Sequence, residues 1–216
     1  MITVVFDMDG TLLDTERIYQ KYWYLSAKDL GYDLTPEELL EYRSLGMSFA
    51  IKKMRERTGS DTAYVDIRTH RKELMDPVME EIDIPLKPRV QEALALLKEN
   101  GARLAVATAT VVPRTDEYLR RAGIRDYFDK LLSAKDVKEG KPAPYVYLDA
   151  CRQLGADPKD TFAIEDAPNG VRSAVSAGCR TIMIPDITEP DGELKKIIEY
   201  RADDMMEAAE YIIKEK

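Results

Sequence analysis

The stretch Ile2-Thr3-Val4-Val5-Phe6-Asp7-Met8-Asp9-Gly10-Thr11 decides how the chain is read. Its first five residues are mostly β-branched or aromatic and end at a glycine turn, which predicts a buried strand. Two carboxylates then emerge two residues apart where that strand should stop. In open α/β sheets ligands bind at the carboxyl ends of strands. Two acids placed there are electrostatically costly unless a cation, a shared proton or a chemical task compensates. Asp9-Gly10 alone also reads as a tight turn, but turn chemistry explains one Asp and not both. The rest of the chain has to decide between turn and site.

With 216 residues, 44% of them hydrophobic, the chain is long enough for one large domain or two small ones. No apolar stretch approaches the roughly 20 residues of a membrane span. The N-terminus runs directly into Ile2–Phe6 without the basic flank and apolar core of a signal peptide, so a cytoplasmic location is expected, with no membrane partner. Cys151 and Cys179 have no C-x-x-C or paired-His context, and reduced core thiols are expected. A net charge of −8, with no clustered Lys/Arg stripe, argues against a nucleic-acid groove. An anionic substrate would therefore need local help from a metal or a placed Lys.

Outside residues 14–83, apolar strand-like runs alternate with amphipathic helices, the pattern of a parallel sheet covered on both faces. Five strands are expected: Ile2–Phe6, Arg103–Ala107, Phe128–Ser133, Thr161–Ile164 and Arg180–Ile184. Helices are expected over Arg89–Asn100, Pro113–Ala122, Pro144–Leu154, Asn169–Ala177, Glu193–Tyr200 and Met205–Lys214. The fold class is thus α/β, a Rossmann-like three-layer core. Residues 14–83 carry only helical patterns: Glu16–Leu30, Pro36–Tyr42, Ser48–Arg57 and Thr62–Glu81. This predicts a core of residues 1–13 and 84–216 interrupted by a helical cap domain, residues 14–83, which returns through the proline-stiffened linker Ile84–Pro88. A cap rooted beside the Asp pair is placed to exclude water and read a substrate.

Three more strand ends carry polar chemistry. Thr108-Ala109 offers a hydroxyl and backbone N–H groups before a helix, which suit phosphate oxygens or, equally routinely, a helix N-cap. Gly140-Lys141-Pro142-Ala143-Pro144 holds a Lys in a rigid turn. That rigidity serves a charge that points inward better than one that points to water. Glu165-Asp166 puts two more acids at a buried strand's end. Asp7, Asp9, Glu165 and Asp166 together form a hard-oxygen set suited to Mg²⁺.

Asp-x-Asp-Gly-Thr, a strand-end Thr, Gly-Lys-Pro and Glu-Asp, in that order over nearly the whole chain, resemble the haloacid dehalogenase superfamily. The run Asp7 to Glu16 is similar to its phosphatase and β-phosphoglucomutase-like branch, and the helical insertion resembles that branch's small cap. True haloacid dehalogenases lack the second Asp, so Asp9 argues against dehalogenation. The resemblance implies that Asp7 is the nucleophile, giving an aspartyl-phosphate, and that Asp9 is the general acid and base. It further implies that Thr108 and the Ala109 N–H hold phosphoryl oxygens, and that Lys141 neutralises charge. Mg²⁺ would be held by Asp7, the Asp9 carbonyl and Asp166, with Glu165 a ligand or just behind one.

Mutase relatives carry a His where Tyr19 stands, and a Lys before and an Arg after a cap-loop Gly. Here Leu45 and Phe49 flank Gly46 at those basic positions. Phosphonate-cleaving relatives need a cap Lys that this loop lacks. Arg43, Ser44, Gly46 and Trp23 are candidate substrate contacts. The alternatives are a solvated face for Arg43 and cap packing for Trp23, and His70 reads as a solvated helix residue. The expected function is a phosphatase of small phosphorylated metabolites such as sugar phosphates, acting as a monomer. The alternatives are a β-phosphoglucomutase-like mutase and a non-catalytic binding or regulatory domain. The last should have lost one of Asp7, Asp9, Lys141 or Asp166, and all four are present.

Overall fold

The computed structural model describes residues 1–216. Its sheet has six parallel strands in the order β3-β2-β1-β4-β5-β6. The strands are β1 (Thr3–Phe6), β2 (Arg103–Thr108), β3 (Lys130–Ser133), β4 (Phe162–Glu165), β5 (Arg180–Met183) and β6 (Tyr200–Arg201). From β1 the chain builds outward to β3 on one side and then to β6 on the other. The reversal opens a crevice at the carboxyl ends of β1 and its neighbours.

Alternation along β1 explains the layers. Val4 and Phe6 face the main core cluster, while Val5 faces a second one. The first face is covered by α5 (Val90–Glu99), α6 (Val112–Arg121) and α10 (Met205–Lys214), and Phe6 meets Phe128 edge to face at 5.8 Å. The second is covered by α7 (Tyr145–Leu154) and α8 (Pro168–Ser176). Cys151 and Cys179 are free and buried on that side, their sulfurs 4.0 Å apart.

Between β1 and α5 the chain forms only helices: α1 (Glu16–Asp29), α2 (Pro36–Leu40), α3 (Met47–Thr58) and α4 (Ala63–Glu81). Thr35 and Glu38 close a reciprocal capping box at the start of α2, and Gly59 ends α3 in the left-handed region. These helices share an apolar cluster of their own around Trp23, Leu39, Met54, Tyr64 and Ile67. Lower on α4, Met75 and Met79 join the main core instead. The two connecting segments run beside each other: the Asp14 N–H donates to the Pro85 carbonyl and the Lys87 N–H to the Leu12 carbonyl.

The C-terminal part corrects the expectation of five strands and of a helix over Glu193–Tyr200. The helix α9 is limited to Leu194–Ile197, and Tyr200–Arg201 pairs with Ile182 and Met183 as a sixth strand. The open edge of β5 left backbone groups to be satisfied, and this short segment supplies them. The third strand also starts later than expected, because Arg125–Tyr127 form a 3₁₀ turn. No helix is long and apolar enough to cross a membrane.

Leu94 on α5 is fully buried in the main cluster. Leu94→Ala should destabilise the protein by about 2–5 kcal/mol, seen as a lower urea midpoint with an unchanged denaturant slope.

Candidate active site

The chain leaves β1 at Asp7 and turns at Gly10, whose φ is +88°. A Cβ there would stand 2.5 Å from Asp166 Oδ2, so only glycine lets the turn lie against that carboxylate. Asp166 itself follows β4, the strand paired with β1. The loop before α7 brings in Lys141, whose peptide bond to Pro142 is cis.

Lys141 is fully buried and makes three bonds: to Asp7 Oδ1 at 2.5 Å, to Glu165 Oε1 at 2.6 Å and to the Ala107 carbonyl at 2.9 Å. Burial alone would lower its pKa, but Asp7 and Glu165 outweigh it and hold the ammonium charged well beyond neutral pH. Tyr147 donates to the same Glu165 oxygen at 2.6 Å, and its ring lies under the ammonium at 5.3 Å. Glu165 Oε2 is buried with no partner, and Gly170 packs directly on this carboxylate. Asp7, Glu165 and Asp166 each bring one oxygen to a group within 4.8 Å.

Burial pushes the Asp7 carboxyl well above its ordinary range; Lys141 pulls it back, and Glu165 and Asp166 push it up again. Asp166 is likewise raised by burial, with Arg43 opposing and Glu165 reinforcing. Such a cluster has too little positive charge of its own, and its hard oxygens fit a divalent cation such as Mg²⁺. The orphaned Glu165 oxygen fits the same conclusion.

Asp9 points the other way. Its Oδ1 accepts from the Thr15 hydroxyl at 2.7 Å and its Oδ2 from the Thr110 hydroxyl at 3.2 Å. Burial raises its pKa while both hydroxyls lower it, and the net direction is up. That favours a carboxyl able to carry a proton. Thr108, buried at the end of β2, accepts from the Thr110 N–H and keeps its own hydroxyl hydrogen free to donate. The N–H groups of Met8, Asp9 and Ala109 have no acceptor within the protein.

Among the residues of the helical insert, Arg43 does not lie on a solvated face. It is buried, paired with Asp166 Oδ2 and with Glu16 at 3.4 Å, and bonded to the Thr188 hydroxyl at 3.3 Å. Asn169 accepts this loop by donating to the Arg43 carbonyl at 2.8 Å. Ser44 takes a left-handed φ of 52°, and the Gly46 N–H donates to the Lys141 carbonyl at 2.6 Å. A Cβ on Gly46 would stand 2.9 Å from the Gly140 backbone, so the contact needs two glycines. Trp23 is buried in the insert's own cluster with its ring 5.5 Å from that of Tyr64. His70 bonds to Asp29 and Glu73 on the helix surface.

Sequence reasoning brought Asp7, Asp9, Thr108, Ala109, Lys141, Glu165 and Asp166 to one crevice and missed their supports. Thr11, Thr15, Thr110 and Tyr147 all bond to site carboxylates. Thr11 and Thr110 had a signal, since each sits within a few residues of a strand end, whereas Thr15 stands farther on, at the start of α1. Tyr147 had none beyond its place on the apolar face of α7.

Glu16 is pushed up to about 7 by burial, with Arg43 opposing and Asp9 reinforcing, from an ordinary 4.5. The folded protein holds this proton more tightly than the unfolded chain. Its contribution to stability is therefore complete below 4.5 and lost as pH rises through about 7. Urea titrations should show Glu16→Gln gaining stability relative to the parent between those two pH values.

Comparison with known proteins agrees with this geometry. The profile of the haloacid dehalogenase-like hydrolases matches residues 4–184. Protein CbbY of Cereibacter sphaeroides is 33% identical over 84% of this chain and 83% of its own length. Hexitol phosphatase B of Escherichia coli K12 is 32% identical over 86% and 84%. A crystal structure of CbbY from Rhodobacter sphaeroides in complex with xylulose-(1,5)bisphosphate superposes with a TM-score of 0.75, at 29% identity over 96% of both chains. The chain is an enzyme belonging to the haloacid dehalogenase-like hydrolases.

Proposed function

We propose that the chain is a Mg²⁺-dependent phosphatase of small phosphorylated metabolites, sugar-phosphate-like monoesters, acting through an aspartyl-phosphate on Asp7. The observation that carries this reading is the state of the Asp7 carboxylate. Oδ1 is pinned by Lys141, while Oδ2 has no partner and is not sealed from solvent. A pinned carboxylate with one free oxygen is a positioned nucleophile. Similarity to a hexitol phosphatase supports the substrate class.

In the first half-reaction Asp7 Oδ2 attacks phosphorus in line as the bond to the ester oxygen breaks. The departing electron pair goes to the alkoxide, which takes the Asp9 proton. Thr108 and the free N–H groups of Met8, Asp9 and Ala109 donate to the phosphoryl oxygens. In the second half, Asp9 takes a proton from a water that attacks phosphorus, and the bond to Asp7 breaks. Inorganic phosphate leaves, with Asp7 restored and Asp9 protonated again. Asp7, the Asp9 carbonyl and Asp166 would hold Mg²⁺, with Glu165 Oε2 as a further oxygen. The ion would supply positive charge to the phosphoryl group and to the acid cluster.

Residues 14–83 serve as the cap of this enzyme, with Arg43, Ser44 and Gly46 closing over Asp166 and Lys141. Hydrolysis is preferred to phosphoryl transfer between sugar positions because Tyr19, Leu45 and Phe49 occupy the places where mutase relatives carry ionisable groups.

Asp7→Asn should lower phosphate release by roughly 10⁴-fold or more while the circular dichroism and melting temperature stay near those of the parent. A panel of phosphorylated sugars, nucleotides and polyol phosphates should show phosphate release that chelation abolishes and Mg²⁺ restores. Failure of every ester, with no effect of chelator, would overturn the assignment.

A further inference from the structure

Cys151 lies in the last turn of α7 and Cys179 directly before β5, and the proposed phosphatase chemistry uses neither thiol. Their sulfurs stand 4.0 Å apart in the apolar layer between the sheet and α7 and α8, with Tyr147, Ala150, Ala174 and Ala177 in the same cluster. No third metal-ligating side chain joins them, since the one such group in the molecule is Asp7, Glu165 and Asp166. Two thiols alone make a poor metal site. They make a complete redox site, because a disulfide needs two sulfurs about 2.05 Å apart and no other group.

Both backbones are held in place. α7 ends at Gly155, and the Ala156 N–H donates to the Cys151 carbonyl at 2.9 Å. The chain leaves α8 through Gly178, and the Cys179 N–H donates to the Ala174 carbonyl at 3.1 Å. Each thiol therefore belongs to a helix-ending turn whose hydrogen bonds are made. Closing the remaining gap of about 2 Å asks for local movement and no change of register in the sheet. The pair also contains a reactive form. Donation from the Cys179 S–H pulls the Cys151 thiol down to about 7 from an ordinary 9, against the effect of burial, and the same bond pushes Cys179 up. The thiolate is the nucleophile in thiol oxidation, so the pair holds one near neutral pH. Cys151 is 1% exposed and Cys179 8%, which gives a small oxidant its approach at the Cys179 edge.

We propose that Cys151 and Cys179 are a redox site: a hydroperoxide converts them to a disulfide within the folded chain, and this bond staples α7 to the start of β5. In the first step a thiolate of the pair attacks one peroxide oxygen. The O–O bond breaks, the other oxygen leaves and takes up a proton, and a sulfenic acid remains. In the second step the other sulfur attacks the sulfenic sulfur, the S–O bond breaks, and water departs with the second thiol's proton. Two electrons pass from the sulfurs to the peroxide. The new bond closes a loop over residues 152–178, which contains α8, and such closure restricts the unfolded chain. α7 also carries Tyr147, one turn before Cys151, whose hydroxyl bonds to Glu165. The staple thus fixes the helix on which the acid cluster leans.

The test treats the reduced, full-length protein with an equimolar amount of hydrogen peroxide under native conditions. Both thiols should disappear together, and peptide mapping should find the segments that hold Cys151 and Cys179 joined within one chain. The melting temperature should rise by roughly 5 °C or more. Dithiothreitol should return both thiols and the original melting temperature, which separates the disulfide from oxidation of methionine. Cys151→Ala and Cys179→Ala, treated in the same way, should give neither the joined peptides nor the rise. If either variant fails to fold, the peptide map and melting temperature of the parent decide the matter.

A bond that forms only after unfolding in urea would overturn the proposal, as would one that joins two chains. So would oxidation that stops at a sulfinic acid on one cysteine, or a disulfide that leaves the melting temperature unchanged.

Discussion

Three carboxylates meet within 4.8 Å at the sheet's carboxyl edge, and one buried ammonium, Lys141, binds two of them. An isolated ion in such a place would be neutralised rather than tolerated. Lys141 bonds to a backbone carbonyl as well, so all three of its donors are filled and it has no freedom to turn away. The surrounding sequence is arranged around this requirement. Gly10 and Gly170 lie so close to Asp166 and Glu165 that no side chain would fit there, and Tyr147 supplies both a hydroxyl and a ring to the Lys141–Glu165 pair. Removing this ammonium would leave buried carboxylates uncompensated, at a cost of about 3–5 kcal/mol, whereas replacing one of the three acids by its amide only lowers their excess of negative charge. The constellation is therefore part of the fold's stability as well as its chemistry.

A second charge balance joins the helical insert to the sheet. Arg43 reaches from the loop between α2 and α3 to Asp166, while Asn169 at the start of α8 holds that loop by its backbone. The Gly46–Gly140 approach brings the insert backbone onto the segment that carries Lys141. Two otherwise separate apolar clusters are thus connected at the site by ion pairs and backbone bonds, and along α4 by Met75 and Met79. Polar contacts of this kind are weaker per unit area than apolar packing, and they are the ones expected to exchange in a closing motion.

What could be read from the chain followed how local the cause was. Val4, Val5 and Phe6 announce a strand buried on both faces, and each acid or hydroxyl of the site stands next to such a run, so order along the chain was enough to assemble them. β6 was illegible because two residues, Tyr200 and Arg201, become a strand only through the free edge of β5. The burial of Arg43 was equally illegible: nothing within Arg43–Phe49 states that the loop will land on Asp166. The face Val146, Tyr147, Ala150, Cys151 and Leu154 marks Tyr147 as core, yet apolar spacing says nothing about where a hydroxyl points.

The division between local and non-local causes also separates the two halves of the chemistry. In the proposed mechanism Thr108, the free N–H groups near it and Lys141 face the phosphoryl group or its nucleophile, which every phosphate ester shares. Such donors set the reaction and cannot distinguish one ester from another, because they contact nothing that differs between substrates. Discrimination then has to come from groups that meet the leaving group, and the helical insert is the part of the chain placed to supply them. A site that hydrogen-bonds a particular substrate group rejects analogues lacking it far more strongly than an apolar wall does, because its own buried donors are then left unfilled. In the proposed mechanism the Asp pair at the end of β1 therefore governs what is done to the substrate, and the helical insert governs which substrate it is done to.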